Sequence, residues 1–146
     1  MVSPRMWRDF FKPRYARIFG RCRELGMANF MHSCGNTLEI MPDLAEIGLN
    51  ILQVQQPTAM GLERIFEVCR DKLSLSIMPD IQEFLPVATV DDVRAESERI
   101  LRLSRVAEGW MIADTYRHWP QGIPAVNIEA WEDTVRNWSI SACATS

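Results

Sequence analysis

Four short apolar segments, each followed by a helix-like pattern, constrain the fold of this sequence more than any other feature. The segments cover residues 28–34, 49–55, 73–78 and 110–113, and none alternates strictly between polar and apolar residues. Segments of this kind form buried strands in parallel sheets, where crossover helices cover both faces. Their spacing of roughly 22 to 36 residues suits a barrel or a doubly wound sheet. The sequence therefore predicts an α/β fold with four parallel strands.

Five helices are predicted from apolar residues at helical spacing and from end signals. The first begins at Ser3 and Pro4 and ends at Gly26, and Pro13 is expected to kink or interrupt it. Later helices are expected at 37–48, 61–72, 89–109 and 126–138, and residues 139–146 are expected to form a flexible tail. The predicted domain therefore covers residues 1–138.

Composition excludes several classes of function. A chain of 146 residues fits one domain, and its net charge of -3 provides no basic field for a phosphate backbone, so no nucleic-acid partner is expected. No apolar run is long enough to cross a bilayer, and the N-terminal segment lacks the apolar core of a signal peptide. The 4 cysteines form no CxxC pair. This cysteine usage indicates a reduced, cytoplasmic protein.

Polar and titratable side chains follow every predicted strand. In parallel α/β folds the carboxyl ends of the strands meet at one edge, where functional residues gather. No GxGxxG or GxxxxGK[ST] motif follows any strand, so the phosphate-binding versions of such folds lack support. The strand ends offer His32 and Cys34, then Gln53, Gln55 and Gln56, then Asp80 and Gln82, and last Asp114, Thr115, Tyr116, Arg117 and His118.

The spacing of His32 and Cys34 predicts that their side chains lie next to each other. Side chains two residues apart on a strand point to the same face, so the imidazole and the thiol should lie side by side. Such a pair supplies two of the three protein ligands of a catalytic zinc. A buried, hydrogen-bonded histidine beside a small apolar cysteine would give the same pattern. Both interpretations stay open at this point.

The other strand-end residues also have two interpretations. Asp80 could act as a base or orient a substrate, or it could be a turn residue. Gln55 and Gln56 could hydrogen-bond a substrate carboxylate or amide, or fill a loop. Tyr116 and His118 could supply a proton or ligate a metal, or pack in a surface loop.

A series of short motifs runs along the chain in a fixed order. The motifs are Ser3-Pro4 with the first helix, MHSCGN at 31–36, MPDL at 41–44, Ile47-Gly48, Gln56-Pro57, PDIQ at 79–82, Leu85-Pro86, TVDDV at 89–93, and Pro124 with Asn127 and Ile128. Taken together, from about residue 3 to 138, they resemble the uroporphyrinogen decarboxylase superfamily. The family fold is a (β/α)8 barrel, and this chain matches its C-terminal half, so residues 1–138 are expected to form a partial barrel.

The resemblance implies one of two chemistries. The decarboxylases remove acetate carboxylates from a porphyrinogen, a lyase step of porphyrin and haem biosynthesis, without a metal. Their methyltransferase relatives move a methyl group between a corrinoid and a thiol such as coenzyme M, with zinc bound by an H-x-C motif and a later cysteine. His32 and Cys34 match that motif. The sequence therefore resembles the methyltransferase-like branch more closely.

Two departures from the family pattern bear on this expectation. No cysteine lies near residues 116–118, where the later zinc ligand is expected, so Asp114 or His118 replaces it or no competent zinc site exists. The arginine and aspartate substrate clamp of the decarboxylases belongs to the N-terminal half, which has no counterpart here. The resemblance assigns metal binding to His32 and Cys34, catalysis to Asp80 and Tyr116, and substrate binding to Gln55, Gln56 and His118.

Three functions are therefore expected as alternatives. The first is zinc-assisted methyl transfer to a thiol from a corrinoid carried by a partner protein. The second is decarboxylation of a porphyrinogen. The third is a non-catalytic half-barrel that pairs with itself or with a complementary N-terminal half through its exposed sheet edges. We expect a small-molecule substrate, and we expect the lone half-barrel to be inactive.

Overall fold

The chain folds into a mixed α/β structure in which parallel strands alternate with helices. The computed structural model describes residues 2–106, 111–114 and 122–143. The strands are β1 (Phe30–Ser33), β2 (Ile51–Val54), β3 (Ser74–Ile77) and β4 (Met111–Ala113). The helices are α1 (Pro4–Met6), α2 (Lys12–Glu24), α3 (Met41–Glu46), α4 (Leu62–Cys69), α5 (Val90–Val106) and α6 (Ala125–Cys143). The predicted fold class, a partial (β/α) barrel with a parallel sheet, is confirmed.

The strands pair in chain order, β1-β2-β3-β4, and every pair is parallel. The register aligns His32 with Gln53, Gln53 with Ser76, and Ser76 with Ile112. Because side chains of in-register parallel strands alternate together, these positions share one face of the sheet.

The opposite face of the sheet carries the core. Its side chains on β2 and β3 are almost completely buried under the helices, and burial of such aliphatic side chains is the main favourable term in folding. They are Leu52, Val54, Leu75 and Ile77.

Strand β1 differs from the prediction. Residues 28–34 were expected to form a buried strand, yet Phe30 is 52% exposed and His32 is also exposed. The prediction of burial is wrong because β1 is the outer strand of the sheet and pairs only with β2. Hydropathy predicts the strand but not its place at the edge.

The first predicted helix is present and is interrupted as expected. The hydroxyl of Ser3 accepts a hydrogen bond from the Met6 backbone N–H, which caps α1. A π-helical turn, Trp7–Phe11, separates α1 from α2, and Pro13 lies in the first turn of α2. Because proline has no N–H to donate to the preceding turn, the regular bonding pattern changes here.

The last helix extends beyond its predicted end. Helix α6 runs to Cys143, whereas the sequence placed its end at Trp138. No glycine or proline follows Trp138 to stop the helix. The domain boundary at residue 138 stays a prediction. No helix in the described part of the chain is long and apolar enough to cross a membrane.

An ion-pair cluster attaches α2 to α3. The Asp43 carboxylate accepts from Lys12 Nζ at 2.7 Å and from Arg8 Nε at 2.8 Å. The hydrogen bond from Lys12, followed by that from Arg8, lowers the pKa of Asp43 below its usual value. These contacts therefore hold the N-terminal helices against α3.

We predict that Asp43→Asn destabilises the protein by roughly 1–2 kcal/mol at neutral pH, because it removes a charged, partly buried hydrogen-bond acceptor. The lowered folded-state pKa means that the carboxylate stabilises the fold above its unfolded-state pKa of about 3.9, and that this contribution is lost as the pH falls through the folded-state pKa. Urea unfolding at several pH values tests this, and the difference between variant and parent should shrink in acid.

The control is Asp133→Asn, because Asp133 and its partner Arg136 are both 63% exposed. This change should cost less than about 0.5 kcal/mol at every pH. Equal effects of the two substitutions would contradict a special role for Asp43.

Candidate functional site

The polar ends of the strands meet at one edge of the sheet. His32 and Cys34 lie at the end of β1, Gln53 and Gln55 at the end of β2, and Asp114 directly after β4. The parallel register brings these three strand ends to the same level. The predicted gathering of polar groups is therefore present among the described residues.

The imidazole and the thiol are in contact. His32 Nε2 lies 3.0 Å from Cys34 Sγ, and both residues are exposed to solvent. A tetrahedral zinc bound at about 2.1 Å from nitrogen and 2.3 Å from sulfur separates these donors by about 3.6 Å. Because both side chains are exposed, small rotations can increase the distance between the nitrogen and the sulfur by that difference. The pair therefore fits as two zinc ligands, and the alternative of two buried core residues does not hold.

A third ligand is not found in the described residues. No group of three His, Cys, Asp or Glu side chains there could hold a metal ion. Tyr116 and His118 lie outside the described residues, so their predicted roles stay predictions. Burial raises the pKa of the Cys69 thiol to about 12, and its Sγ lies 3.8 Å from Met41 Sδ. A thiol that stays protonated at neutral pH is a poor metal ligand.

Asp114, which the sequence offered as a possible third zinc ligand, is hydrogen-bonded by two glutamines. Its carboxylate oxygen Oδ2 accepts from Gln53 Nε2 through a short hydrogen bond and lies 3.4 Å from Gln55 Nε2. The backbone at Asp114 is fixed as well, since its N–H donates to Ile77 O at 3.1 Å and its carbonyl accepts from Trp131 Nε1 at 2.6 Å. The sequence analysis placed these residues at strand ends but did not predict their contact, which spans 61 residues.

Gln56 positions the loop that carries the thiol. Its Oε1 accepts from the Gly35 backbone N–H at 2.7 Å. Gly35 has φ of 72°, a left-handed conformation that favours glycine, and it directly follows Cys34. The turn after Cys34 is therefore tied to the end of β2. The predicted role of Gln56 in substrate binding stays a prediction.

Asp80 organises two loops. Its side chain is buried, with Oδ1 accepting from the N–H groups of Gln82 and Glu83 at 2.9 Å each. Its Oδ2 accepts from the Thr58 N–H at 3.2 Å. These three backbone donors join the loop after β3 to the loop after β2. The geometry gives Asp80 a positioning role, and its proposed part in catalysis stays a prediction.

The comparisons with known proteins agree with this architecture. The family model described as uroporphyrinogen decarboxylase (URO-D) matches residues 1–138. The chain belongs to the URO-D family. No curated protein sequence matches the chain. Among solved structures, a methyltransferase from Methanosarcina mazei superposes with a TM-score of 0.71 at 21% sequence identity.

This chain shares its fold with the Methanosarcina mazei protein over almost its whole length. The superposition covers 95% of this chain and 39% of the Methanosarcina mazei protein, so the chain spans less than half the length of its structural neighbour. At this level of identity the likeness establishes the fold. The site must therefore be interpreted from the residues present in this chain.

We predict that Asp80→Asn destabilises the protein by about 1–3 kcal/mol, because an amide cannot accept from all three backbone N–H groups. Chemical denaturation of the parent and the variant measures the change. Glu83→Gln is the control, since Glu83 is exposed and contributes only its backbone N–H to this network. An Asp80→Asn protein of unchanged stability would leave the carboxylate available for catalysis and would contradict the positioning role.

Proposed function

We propose that this chain carries the C-terminal part of a methyltransferase of the URO-D family, acting between a corrinoid and a thiol. The observation that supports this proposal is the contact between His32 and Cys34 at the carboxyl end of β1. The match of this pair to the zinc motif of the methyltransferase branch gives the contact its chemical interpretation. The methyltransferase from Methanosarcina mazei shares the fold.

His32 and Cys34 would hold zinc in this proposal, together with a third ligand. Bound zinc lowers the pKa of a coordinated thiol and makes it nucleophilic at neutral pH. The overall reaction forms a carbon–sulfur bond, releases the thiol proton, and leaves the electron pair of the broken methyl bond on the corrinoid.

The residues around the pair orient it. Gln56 fixes the turn after Cys34 through Gly35. Gln53 and Gln55 face the Asp114 carboxylate, so the polar side of the site presents oriented amides next to the strand that carries His32. Hydrogen-bonded side chains of this kind reduce the motion of metal ligands and substrates.

Decarboxylation of a porphyrinogen is the second candidate function. The family model that matches the chain is described as uroporphyrinogen decarboxylase, and the described residues provide two zinc ligands rather than three. In this alternative no metal is used, and Tyr116 or His118 lies near the substrate carboxylate. Zinc content separates the two candidates.

Either chemistry is proposed to need a second half of the barrel. The chain spans 39% of its structural neighbour, and within the described residues β1 is an end strand of the sheet, an edge that can pair with a further strand. A complementary N-terminal half or a second copy of this chain would cover that edge. The corrinoid would arrive on a partner protein, and the methyl acceptor would be a small molecule.

We predict about one zinc per purified chain, bound by a thiolate and an imidazole as in catalytic zinc sites. Cys34→Ala should lose most of this zinc because it removes one ligand. Metal analysis by mass spectrometry after gel filtration gives the stoichiometry, and light scattering on the same sample gives the molar mass.

Cys22→Ala is the matched control, because Cys22 is a partly buried thiol on α2, away from the strand ends. It should keep the zinc of the parent. Absence of zinc from the parent chain at every molar mass would sink the methyl-transfer proposal and favour decarboxylation.

A further inference from the structure

A groove opens beside the Cys34 thiol. It lies between the N-terminal helices and the end of β1 and has a volume of about 620 Å³. We name it the Cys34 groove. Its walls include Trp7, Phe11, Tyr15, Met31, Cys34 and Ile40.

The walls of the Cys34 groove are mainly aromatic and aliphatic, and its polar lining residues are Ser3, Ser33, Asn36, Thr37 and Glu39. Trp7 and Tyr15 stack with ring centroids 6.4 Å apart at an interplanar angle of 17°, so they form one aromatic cluster along the groove. Grooves of roughly 300–1,000 Å³ with such walls accommodate small molecules. The size and the walls suit a ligand whose body is an aryl or alkyl group.

The charges around the Cys34 groove disfavour an anion. Among the lining residues that the structure describes, Glu39 is the one acidic residue and none is a lysine, arginine or histidine. Two cations of the first helices, Arg8 and Lys12, bind Asp43. A carboxylate or sulfonate against these lining residues would lose water without gaining a cationic partner from them, and burial of an unpaired charge is costly.

We propose that the Cys34 groove binds the body of a neutral, apolar thiol or methyl thioether and places its sulfur next to Cys34 and His32. This inference rests on the proposed methyl transfer and names the class of methyl acceptor. It distinguishes such an acceptor from a small anionic thiol, which the walls do not complement.

The test uses two methyl thioethers of opposite character on the zinc-free chain. Benzyl methyl sulfide is neutral and aromatic, and 2-(methylthio)ethanesulfonate is a small anion. The readout is the rate at which iodoacetamide alkylates Cys34, followed by peptide mass spectrometry. A ligand that occupies the groove slows this reaction by a factor of 1 + [L]/Kd, which is about fivefold at four times its Kd.

We expect benzyl methyl sulfide to protect Cys34 and the sulfonate to give no protection at the same concentration. Cys22 serves as an internal control, because it lines a different groove on α2 and its alkylation rate should not change. Equal or stronger protection by the sulfonate would overturn the inference. So would the absence of protection by the sulfide in a chain with unchanged circular dichroism.

Three variants test which residues of the Cys34 groove contact the ligand. Phe11→Ala should weaken protection by the sulfide, whereas Phe10→Ala should not, because Phe10 is the neighbouring ring and does not line the Cys34 groove. Val2→Lys adds a cation at an exposed lining position and should give the sulfonate measurable protection. Identical behaviour of the two phenylalanine variants would contradict the assignment.

The alkylation experiment can fail or succeed independently of the zinc experiment. Protection is measured without metal, so zinc binding without protection overturns the ligand class and leaves methyl transfer standing. Protection without zinc overturns methyl transfer and leaves a groove for neutral apolar ligands.

Discussion

The in-register parallel pairing of the strands is the interaction on which the rest of the structure depends. It aligns His32 with Gln53 and Gln53 with Ser76, so that three distant segments present polar groups on one face. The other face of the same strands carries the apolar side chains that the helices bury. The backbone hydrogen bonds between the strands thus fix which side chains pack in the core and which lie on the polar face. A shift of one residue in any strand would move its core side chains to the polar face and its polar side chains to the core.

Much of the fold follows from local sequence signals. Ser3 and Pro4 predict the first helix start, and apolar runs bounded by turn residues predict the strands, because these preferences act over a few residues. The contact between His32 and Cys34 was also predictable, since alternate residues on a strand share a face. The edge position of β1 was not, because it depends on which strands pair.

The candidate site also contains contacts that local sequence signals do not predict. The hydrogen bond between Gln53 and Asp114 joins two strand ends that are not neighbours in the sheet, and no local pattern encodes such a contact. Asp80 illustrates another difficulty, because a carboxylate after a strand is compatible with catalysis and with loop formation. Its three backbone donors come from two loops, and their convergence is visible only after folding.

The π-helical turn at Trp7–Phe11 gives the Cys34 groove an unusual dependence on chain length. A π turn contains about one more residue than an α turn, and each residue of a helix adds about 100° of rotation. Removing one residue from this turn would rotate Ser3 and Pro4 around the helix axis relative to Phe11 and Tyr15. Side-chain substitutions would therefore adjust the shape of the groove gradually, whereas a single deletion would displace the lining residues at the start of the helices from those further along. Among relatives of this chain, conservation of that spacing would be a sharper sign of a shared ligand than conservation of any one aromatic ring.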